Sequence, residues 1–357
     1  MRIGDEVQIP AQAFQVKDWF AERPTRAIVD EIREFIRTGN APYDWRGHTH
    51  TKPPTGTDIV YIGDFDLDRN RACPCPCCSP HHAKYFVRGM IAWFPGEKLI
   101  RMVGPKCFAT LNPEGHEAAM ADWEIERKRQ QDADFLLANL GVAEDLKKVL
   151  ENAQPTMEAI DMVRNIVSDG RLDKILNTDV EIHMGDGVLR VTAEHEETYI
   201  DRDGKTGSRT IHLSEEFGTI EGAFMLSPNA RRLASQLKSA LATVSQIPTP
   251  TKETIREAIE QMDDAERSQT AKRLSIAMAV SRELWQSARE AQRFFSPNNI
   301  AIINGWGSHP GSPFAIAMQR DGRNVTIGRS KDTGPVLQLP ESFDRLLDDL
   351  PKIGAPK

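Results

Sequence analysis

The stretch RACPCPCCSPHHAKYF, which begins at Arg71, constrains the fold of this chain more than any other segment. It holds four of the chain's five cysteines, and two histidines follow them closely. In a reducing cytosol, clustered cysteines bind metal more often than they form disulfides. Cys75 and Cys78 form a C-x-x-C knuckle, a spacing that directs both sulfurs at one centre. The segment therefore predicts a zinc site.

The fifth cysteine, Cys107, supplies the second half of this site. It follows a predicted hairpin, in VGPKC, at a turn that leads into a helix. The order of knuckle, hairpin, turn with cysteine and helix is that of a treble-clef-like zinc module. A site with four protein ligands is closed and structural rather than catalytic. We predict one Zn²⁺ held by Cys73, Cys75, Cys78 and Cys107, and His116, His82 and Cys77 stay open as alternatives to Cys73.

The residues CPCCSPHHAKYFVRG, followed by GEKLIRMVGPKCF, resemble a zinc module of uncharacterised phage and plasmid proteins. That family has Cys-x-His-Cys, a hairpin, then Val-Gly-x-x-Cys before an apolar residue and a helix. Cys75, Cys78, Gly104 and Cys107 match this pattern, and Cys77 stands where the family has histidine. The resemblance extends over roughly 40 of the 357 residues. It implies a phage or other mobile-element context and no activity.

The predicted hairpin is locally basic and carries interleaved aromatic residues. Cations beside aromatic rings are what a platform for single-stranded nucleic acid needs. The alternative is that the rings pack a small core and the cations are solvated. The candidate nucleic-acid-binding residues are Lys84, Arg88, Lys98, Arg101 and Lys106, with Tyr85, Phe86, Trp93 and Phe94 between them.

Composition limits the other classes of function. The net charge is −7 and the sequence pI is about 5.8, which argues against a surface largely devoted to nucleic acid. The sequence has no apolar run long enough for a membrane span, and its start lacks the apolar core of a secretory signal. We expect a cytoplasmic protein.

Hydrophobic periodicity along the chain predicts an α+β fold. An N-terminal helix and strand lead into the zinc module. A helical region and two antiparallel α+β units follow, and their similar order of elements admits an internal duplication. The predicted segments are 1–60 (helix and loop), 61–117 (zinc module), 118–178 (helices), 179–247 (first α+β unit) and 251–357 (second α+β unit).

Several local predictions accompany this division. Helices between about residues 143 and 176 should break near Pro155. Three antiparallel strands should follow residue 178, and a helix should be capped by Ser227. NNIAIINGWG should form strands and turns, and PESFDRLLDDL should close the chain with a short helix.

The sequence contains no motif of a known catalytic class. His48 and His50 lie on one side of an extended HTH segment, where they are expected to be solvated. The leading hypothesis is a non-catalytic zinc protein that contacts nucleic acid or a partner protein through the zinc module. The alternatives are an enzyme with a site in the C-terminal α+β units, or a structural or assembly protein of a phage.

Overall fold

The computed structural model describes residues 9–16, 18–67, 73–77, 85–104, 106–168, 182–200, 202–227, 229–329 and 334–352. The chain divides into two units, Met1–Gln131 and Asp132–Lys357. This division is coarser than the five predicted segments. Helices and small antiparallel sheets occur together, so the α+β class is confirmed. None of the helices in the described ranges is long and apolar enough to cross a bilayer.

The first unit is built on a three-stranded antiparallel sheet in the order β1-β4-β5. The strands are β1 (Val60–Asp66), β4 (Arg88–Phe94) and β5 (Leu99–Val103), and β4 and β5 form the predicted hairpin. A short antiparallel pair, β2 (Cys73–Pro74) with β3 (Tyr85–Phe86), lies between β1 and β4 in the sequence. Every residue of β5 is buried, so this strand is covered on both faces.

Helix α1 (Arg26–Arg37) packs directly on the sheet. Its residues Val29, Ile32 and Ile36 recur at helical spacing and are buried. Gly63 on β1 allows the close approach, because a Cβ there would meet Cγ1 of Val29 at 2.6 Å. The predicted helix and the strand after it are therefore confirmed, and a glycine fixes how closely they pack.

The second unit is mostly helical. Helix α2 (Pro113–Asn139) begins in the first unit and ends just before α3 (Ala143–Ser168). The remaining helices are α4 (Leu233–Val244), α5 (Ile255–Gln261), α6 (Asp264–Phe294) and α7 (Pro297–Gly307). The side chains of α3, α4 and α6 pack against one another in a single apolar core, which also contains residues of both predicted α+β units.

Two separate sheets accompany these helices. A long ribbon pairs β6 (Val188–Ile200) with β7 (Thr206–Thr219). A three-stranded antiparallel sheet has the order β10-β9-β8. Its strands are β8 (Ala317–Asp321), β9 (Asn324–Gly328) and β10 (Val336–Gln338).

The three strands predicted after residue 178 are corrected to two. Residues 182–184 are helical, so the first predicted strand is wrong over that part, and residues 179–181 lie outside the described residues. A turn at Asp186–Gly187 joins this helical segment to β6. Gly187 has a φ of +79°, which suits that turn.

The predicted break at Pro155 is also wrong, because α3 continues through it. Leu150, Ala153, Met157 and Ile160 lie on both sides of the proline and are all buried. Their burial in one core outweighs the backbone hydrogen bond that proline cannot donate. Tertiary packing thus overrides a local helix-breaking signal.

Ser227 does not cap the helix that follows it. Helix α4 begins at Leu233, and a side chain of α3 satisfies its first amide groups. Asp161 accepts hydrogen bonds from the N–H groups of Leu233 at 3.0 Å and Ala234 at 2.9 Å. Such a carboxylate also complements the positive end of the helix dipole. The cap is distant in sequence, so the local pattern gave no signal for it.

NNIAIINGWG forms helix α7 rather than the predicted strands. Ser296 caps this helix and accepts from the N–H of Asn299, and Pro297 occupies its first turn. Ile303 and Trp306 are buried at helical spacing. The closing segment 341–344 forms turns, so the short helix predicted for PESFDRLLDDL is wrong over these residues.

Candidate metal centre

Three thiols of the first unit meet beside the hairpin. Cys75 directly follows β2, and Cys107 lies in the turn after β5, as the zinc prediction requires. The Cys75 thiol contacts the thiols of both Cys77 and Cys107. The N–H of Gly104 also donates to Sγ of Cys75 at 3.2 Å. The sulfur of Cys75 is therefore the centre of this thiol cluster, which we define as Cys75, Cys77 and Cys107.

Hydrogen bonding in the cluster favours a thiolate at Cys75. The Cys107 and Cys77 thiols donate to its sulfur, and these bonds lower the pKa of Cys75. The same contact raises the pKa of Cys77, which donates to Cys75 and is buried. A thiolate is the form of cysteine that binds metal. Clustered soft sulfur donors fit Zn²⁺ by their chemistry.

The predicted ligands are only partly brought together. Cys75 and Cys107 are in contact, whereas the buried thiol of Cys73 donates to the carbonyl of Pro74 at 3.3 Å. Burial raises the pKa of Cys73. Cys78 lies outside the described residues. Among the described residues, no group of three or more His, Cys, Asp or Glu side chains is placed so that it could hold a metal ion, and the thiol cluster as it stands is no exception. The four-ligand set stays a prediction.

The alternatives to Cys73 differ in their surroundings. Cys77 already contacts the central sulfur. His116, in the first turn of α2, has its Nδ1 2.7 Å from the hydroxyl of Tyr61. Burial, followed by the nearby thiols of the cluster, raises the pKa of Tyr61, so its hydroxyl keeps the proton. The tautomer of His116 decides which group donates in this bond, and His116 stays an alternative ligand. His82 lies outside the described residues.

Tyr61 is a neighbour of the cluster that the sequence did not single out. Its position on β1 gave one signal, because alternate residues of that strand face the core. Its side chain is 1% exposed. It connects the thiol cluster to the start of α2.

The HTH segment is buried rather than solvated, so that prediction is wrong. His48 forms a parallel bridge with Ile100, and the N–H of Thr49 donates to the carbonyl of Ile100. The segment thus extends the sheet beside β5. The N–H of Met102 donates to Nδ1 of His48, and Nε2 of His48 lies 3.1 Å from Nδ1 of His50. Both imidazoles are buried in the first unit.

The predicted nucleic-acid-binding cations occupy different environments. The Arg101 side chain is 1% exposed, pairs with Glu97 at 2.7 Å and lies over the ring of Phe94. It is a core residue rather than an accessible cation. Arg88 is exposed and pairs with Asp66 at 3.3 Å. Lys98 and Lys106 are exposed, and Lys84 lies outside the described residues.

The aromatic residues of the hairpin do not form an open stacking surface where they are described. Phe94 is fully buried, and Trp93 is half-buried with its indole N–H donating to the carbonyl of Phe20. An exposed indole instead precedes Phe20, whose backbone bonds the hairpin. Trp19 is 68% exposed, and the next residue, Phe20, is anchored by its N–H to the carbonyl of Lys98 at 2.8 Å.

An open groove of about 1130 Å³ lies in the second unit, where the alternative enzyme hypothesis would place a site. Its acidic and basic side chains largely neutralise each other, as in the pair Arg293–Glu221 at 2.6 Å. The described lining residues able to act as nucleophiles are carboxylates and Lys352, and no Ser, Thr, Cys or His is among them. The groove therefore gives the enzyme hypothesis no specific support.

The histidines of the second unit also have ordinary roles. His195 on β6 bonds Glu215 on β7 at 2.6 Å, and His212 lies on the exposed part of β7. His183 lies in the helical segment before β6 rather than on a strand. His195 and His212 occupy adjacent cross-strand positions but lie on opposite faces of the ribbon, so they do not form a common site.

Comparison of the chain with protein-family models, curated protein sequences and solved structures found no match. The resemblance to the phage and plasmid zinc module thus stays an expectation based on the four matching residues.

Proposed function

We propose that the first unit is a zinc-stabilised, non-catalytic module that binds a partner protein. The thiol cluster carries this proposal, because three sulfurs converge from two sequence-distant segments and one of them favours the thiolate form. Cys75 and Cys107 would hold the ion, with Cys78 and one further ligand completing four. Bound zinc would supply crosslinking between the knuckle and the start of α2.

A structural role for the metal follows from the surroundings of the cluster. Cys75 and Cys77 are 1% and 2% exposed, so a substrate would have little access to an ion between them. A catalytic zinc needs an open coordination position. A closed thiolate site instead stabilises the folded state, since the ligands converge only there.

A protein partner is favoured over nucleic acid by charge and exposure. Arg101 is buried, and Arg88 already has an acidic partner, which leaves Lys98 and Lys106 as exposed candidates within the described part of the hairpin. Exposed tryptophan is enriched among residues that dominate protein–protein binding. Trp19 is held next to an anchored backbone and thus presents its indole at little entropic cost. The mobile-element context stays an implication of the resemblance.

Elemental analysis of protein purified without added metal tests the metal part of the proposal. We expect about one zinc ion per chain, in line with a single four-ligand site. Cys107→Ser should lose it. Cys73→Ser and Cys77→Ser then identify the fourth ligand, because only the variant that removes a ligand loses zinc. Full-length protein without zinc and with freely reactive thiols would refute the proposal.

A labelled single-stranded oligonucleotide, assayed for a mobility shift at two salt concentrations, tests the class of partner. We expect no shift with the full chain at either salt concentration. A salt-sensitive shift that Lys98→Glu and Lys106→Glu abolish would establish nucleic acid as the ligand instead. In capture from a lysate, a protein partner should be lost with Trp19→Ser and kept with Tyr199→Ser, which removes an exposed aromatic of the second unit. Equal capture by both variants would exclude Trp19 from the binding surface.

A further inference from the structure

The β6–β7 ribbon has one strand edge that is open to pairing. Thirteen and fourteen residues make up its strands, yet the ribbon has only two strands. Side chains from Ser208 to Glu216 on β7 are exposed, except that of Ile211, which is half-buried. Isolated two-stranded ribbons are marginally stable, and a long exposed edge is a template for another strand. The outer half of this ribbon would therefore gain from a further strand.

The two edges of the ribbon are not equivalent. On β6, the N–H of Thr192 donates to the carbonyl of Gly311 at 2.8 Å, so a turn already covers part of that edge. Three glutamates, Glu194, Glu196 and Glu197, also crowd it. On β7, no backbone hydrogen bond from outside the ribbon reaches residues 206–216 within the described chain. The open edge is that of β7.

The sequence of β7 is complementary to itself about His212. The stretch is Ser-Arg-Thr-Ile-His-Leu-Ser-Glu-Glu, from Ser208 to Glu216. If two copies of it run antiparallel with the two His212 residues opposite each other, the three pairs next to the axis also match. Ile211 faces Leu213 of the second copy, Thr210 faces Ser214, and Arg209 faces Glu215. Apolar, hydroxyl and opposite-charge pairs of this kind stabilise antiparallel strands.

We propose that the chain forms a dimer by pairing these two β7 edges across a two-fold axis at His212, giving a four-stranded sheet in the order β6-β7-β7-β6. A dimer with closed two-fold symmetry uses the same surface on both copies, and that surface must be self-complementary, as the stretch from Arg209 to Glu215 is. The same operation on β6 would bring glutamates against one another, for example Glu194 against Glu196, which is destabilising. The acidic residues of β6 therefore direct association to β7.

Existing ion pairs would continue across the new sheet. Within one chain, Arg209 bonds Glu197 at 2.6 Å and Glu215 bonds His195 at 2.6 Å. Pairing Arg209 with Glu215 of the second copy joins these two contacts into one continuous row of polar side chains. The row occurs twice, because the axis repeats it.

Sedimentation velocity of the full chain over a wide concentration range tests the dimer. We expect Arg209→Glu and Glu215→Arg each to raise the dimer dissociation constant by about tenfold or more, since each changes two charge pairs. The double variant restores opposite charges and should regain most of the wild-type affinity. Glu197→Gln is the matched control, because it breaks the ion pair of Arg209 within the chain but leaves the edge pairing intact. A monomeric wild-type protein at all concentrations, or a double variant as weak as the singles, would overturn the proposal.

A single-cysteine crosslink tests the register. Residues opposite each other in an antiparallel pair have Cα atoms about 4.5–5.5 Å apart, within disulfide range. His212→Cys should therefore give a dimer joined 212 to 212 under mild oxidation, identified by mass spectrometry of the linked peptide. Ser208→Cys is the control, because the two copies of residue 208 would lie about 27 Å apart. A register other than the one proposed would give no 212–212 peptide, or as much crosslinking at 208 as at 212.

Discussion

The two units of this chain fill their interiors with different chemistry. All five cysteines belong to the first unit, and Cys73, Cys75 and Cys77 are part of its core, together with the buried side chains of His48, His50 and Arg101. The core of the second unit has about twice as many buried hydrophobic side chains in the described chain and no cysteine. Buried polar side chains occur in the second unit too, for example Asp161 and Arg164, so the thiols are what set the first unit apart. The first unit should therefore depend on its thiol contacts, and the second on its larger apolar core.

This difference separates two ways to stabilise an α+β unit. Long amphipathic helices such as α3 and α6 bury a continuous apolar face, so the second unit tolerates a proline inside a helix. Short strands and irregular segments bury less, so the first unit needs specific links between segments distant in sequence. A substitution in one unit should therefore leave the other unit intact.

The largest effect is expected from Cys107→Ser. Zinc sites of this kind supply on the order of 10 kcal/mol of apparent folding free energy, so loss of a ligand should unfold the hairpin region of the first unit. Calorimetry of the wild type should show two transitions, of which the variant keeps the one from the second unit. A single transition shared by both units would contradict the comparison.

Phe294→Ala should have the next largest effect and should act on the second unit alone. Phe294 is 1% exposed and packs edge-to-face on Phe295. Removing a buried phenyl ring costs about 3–5 kcal/mol of unfolding free energy. Urea denaturation measures this loss, and zinc content should not change. Phe217→Ala, which removes a half-exposed ring of the same unit, serves as a control with a smaller expected loss.

Arg101→Leu should destabilise the first unit by an intermediate amount. Its guanidinium pairs with Glu97 and donates to the carbonyl of Thr51. Removing one partner of a buried pair costs about 3–5 kcal/mol, and a smaller loss of about 2–3 kcal/mol is expected because Glu97 is 26% exposed. Arg101→Leu combined with Glu97→Leu should recover part of the loss in chemical denaturation. No recovery would mean that the Thr51 bond, and not the ion pair, stabilises this site.

Asp263→Ala should have the smallest effect, again on the second unit. Asp263 caps α6 in a capping box, in which its carboxylate accepts from the N–H of Glu266 at 2.8 Å. Loss of such a cap costs about 1 kcal/mol. Asp263→Asn keeps an acceptor and should be nearly neutral. Equal losses from the two variants in thermal denaturation would show that the carboxylate charge, rather than the hydrogen bond, is what matters.

The sequence predicted local elements well where one pattern sufficed. The apolar spacing of α1 and the alternation around the β4–β5 hairpin both led to confirmed elements. It failed where a distant residue decided the outcome. Asp161 caps α4 from another helix, and the core around Met157 carries α3 through Pro155. Neither partner can be identified from residues nearby in the chain.

The candidate site shows the same limit. Spacing alone placed Cys75 near Cys107, and these two residues meet in the structure. Spacing could not show that Arg101 points into the core, because a basic residue on a strand looks the same in sequence whether its side chain is buried or exposed. The sequence also did not indicate that the segment His48–His50 extends the sheet, because a Thr- and Pro-rich segment has no strand pattern of its own.

Hydrogen exchange along the full chain, with and without a zinc chelator, tests most directly whether the first unit depends on a metal-thiolate centre and the second does not. We predict that chelation makes exchange fast in residues 85–111, whereas α3, α6 and β9 keep their protection. Unchanged protection in residues 85–111 would contradict the account, and so would an even rise along the whole chain.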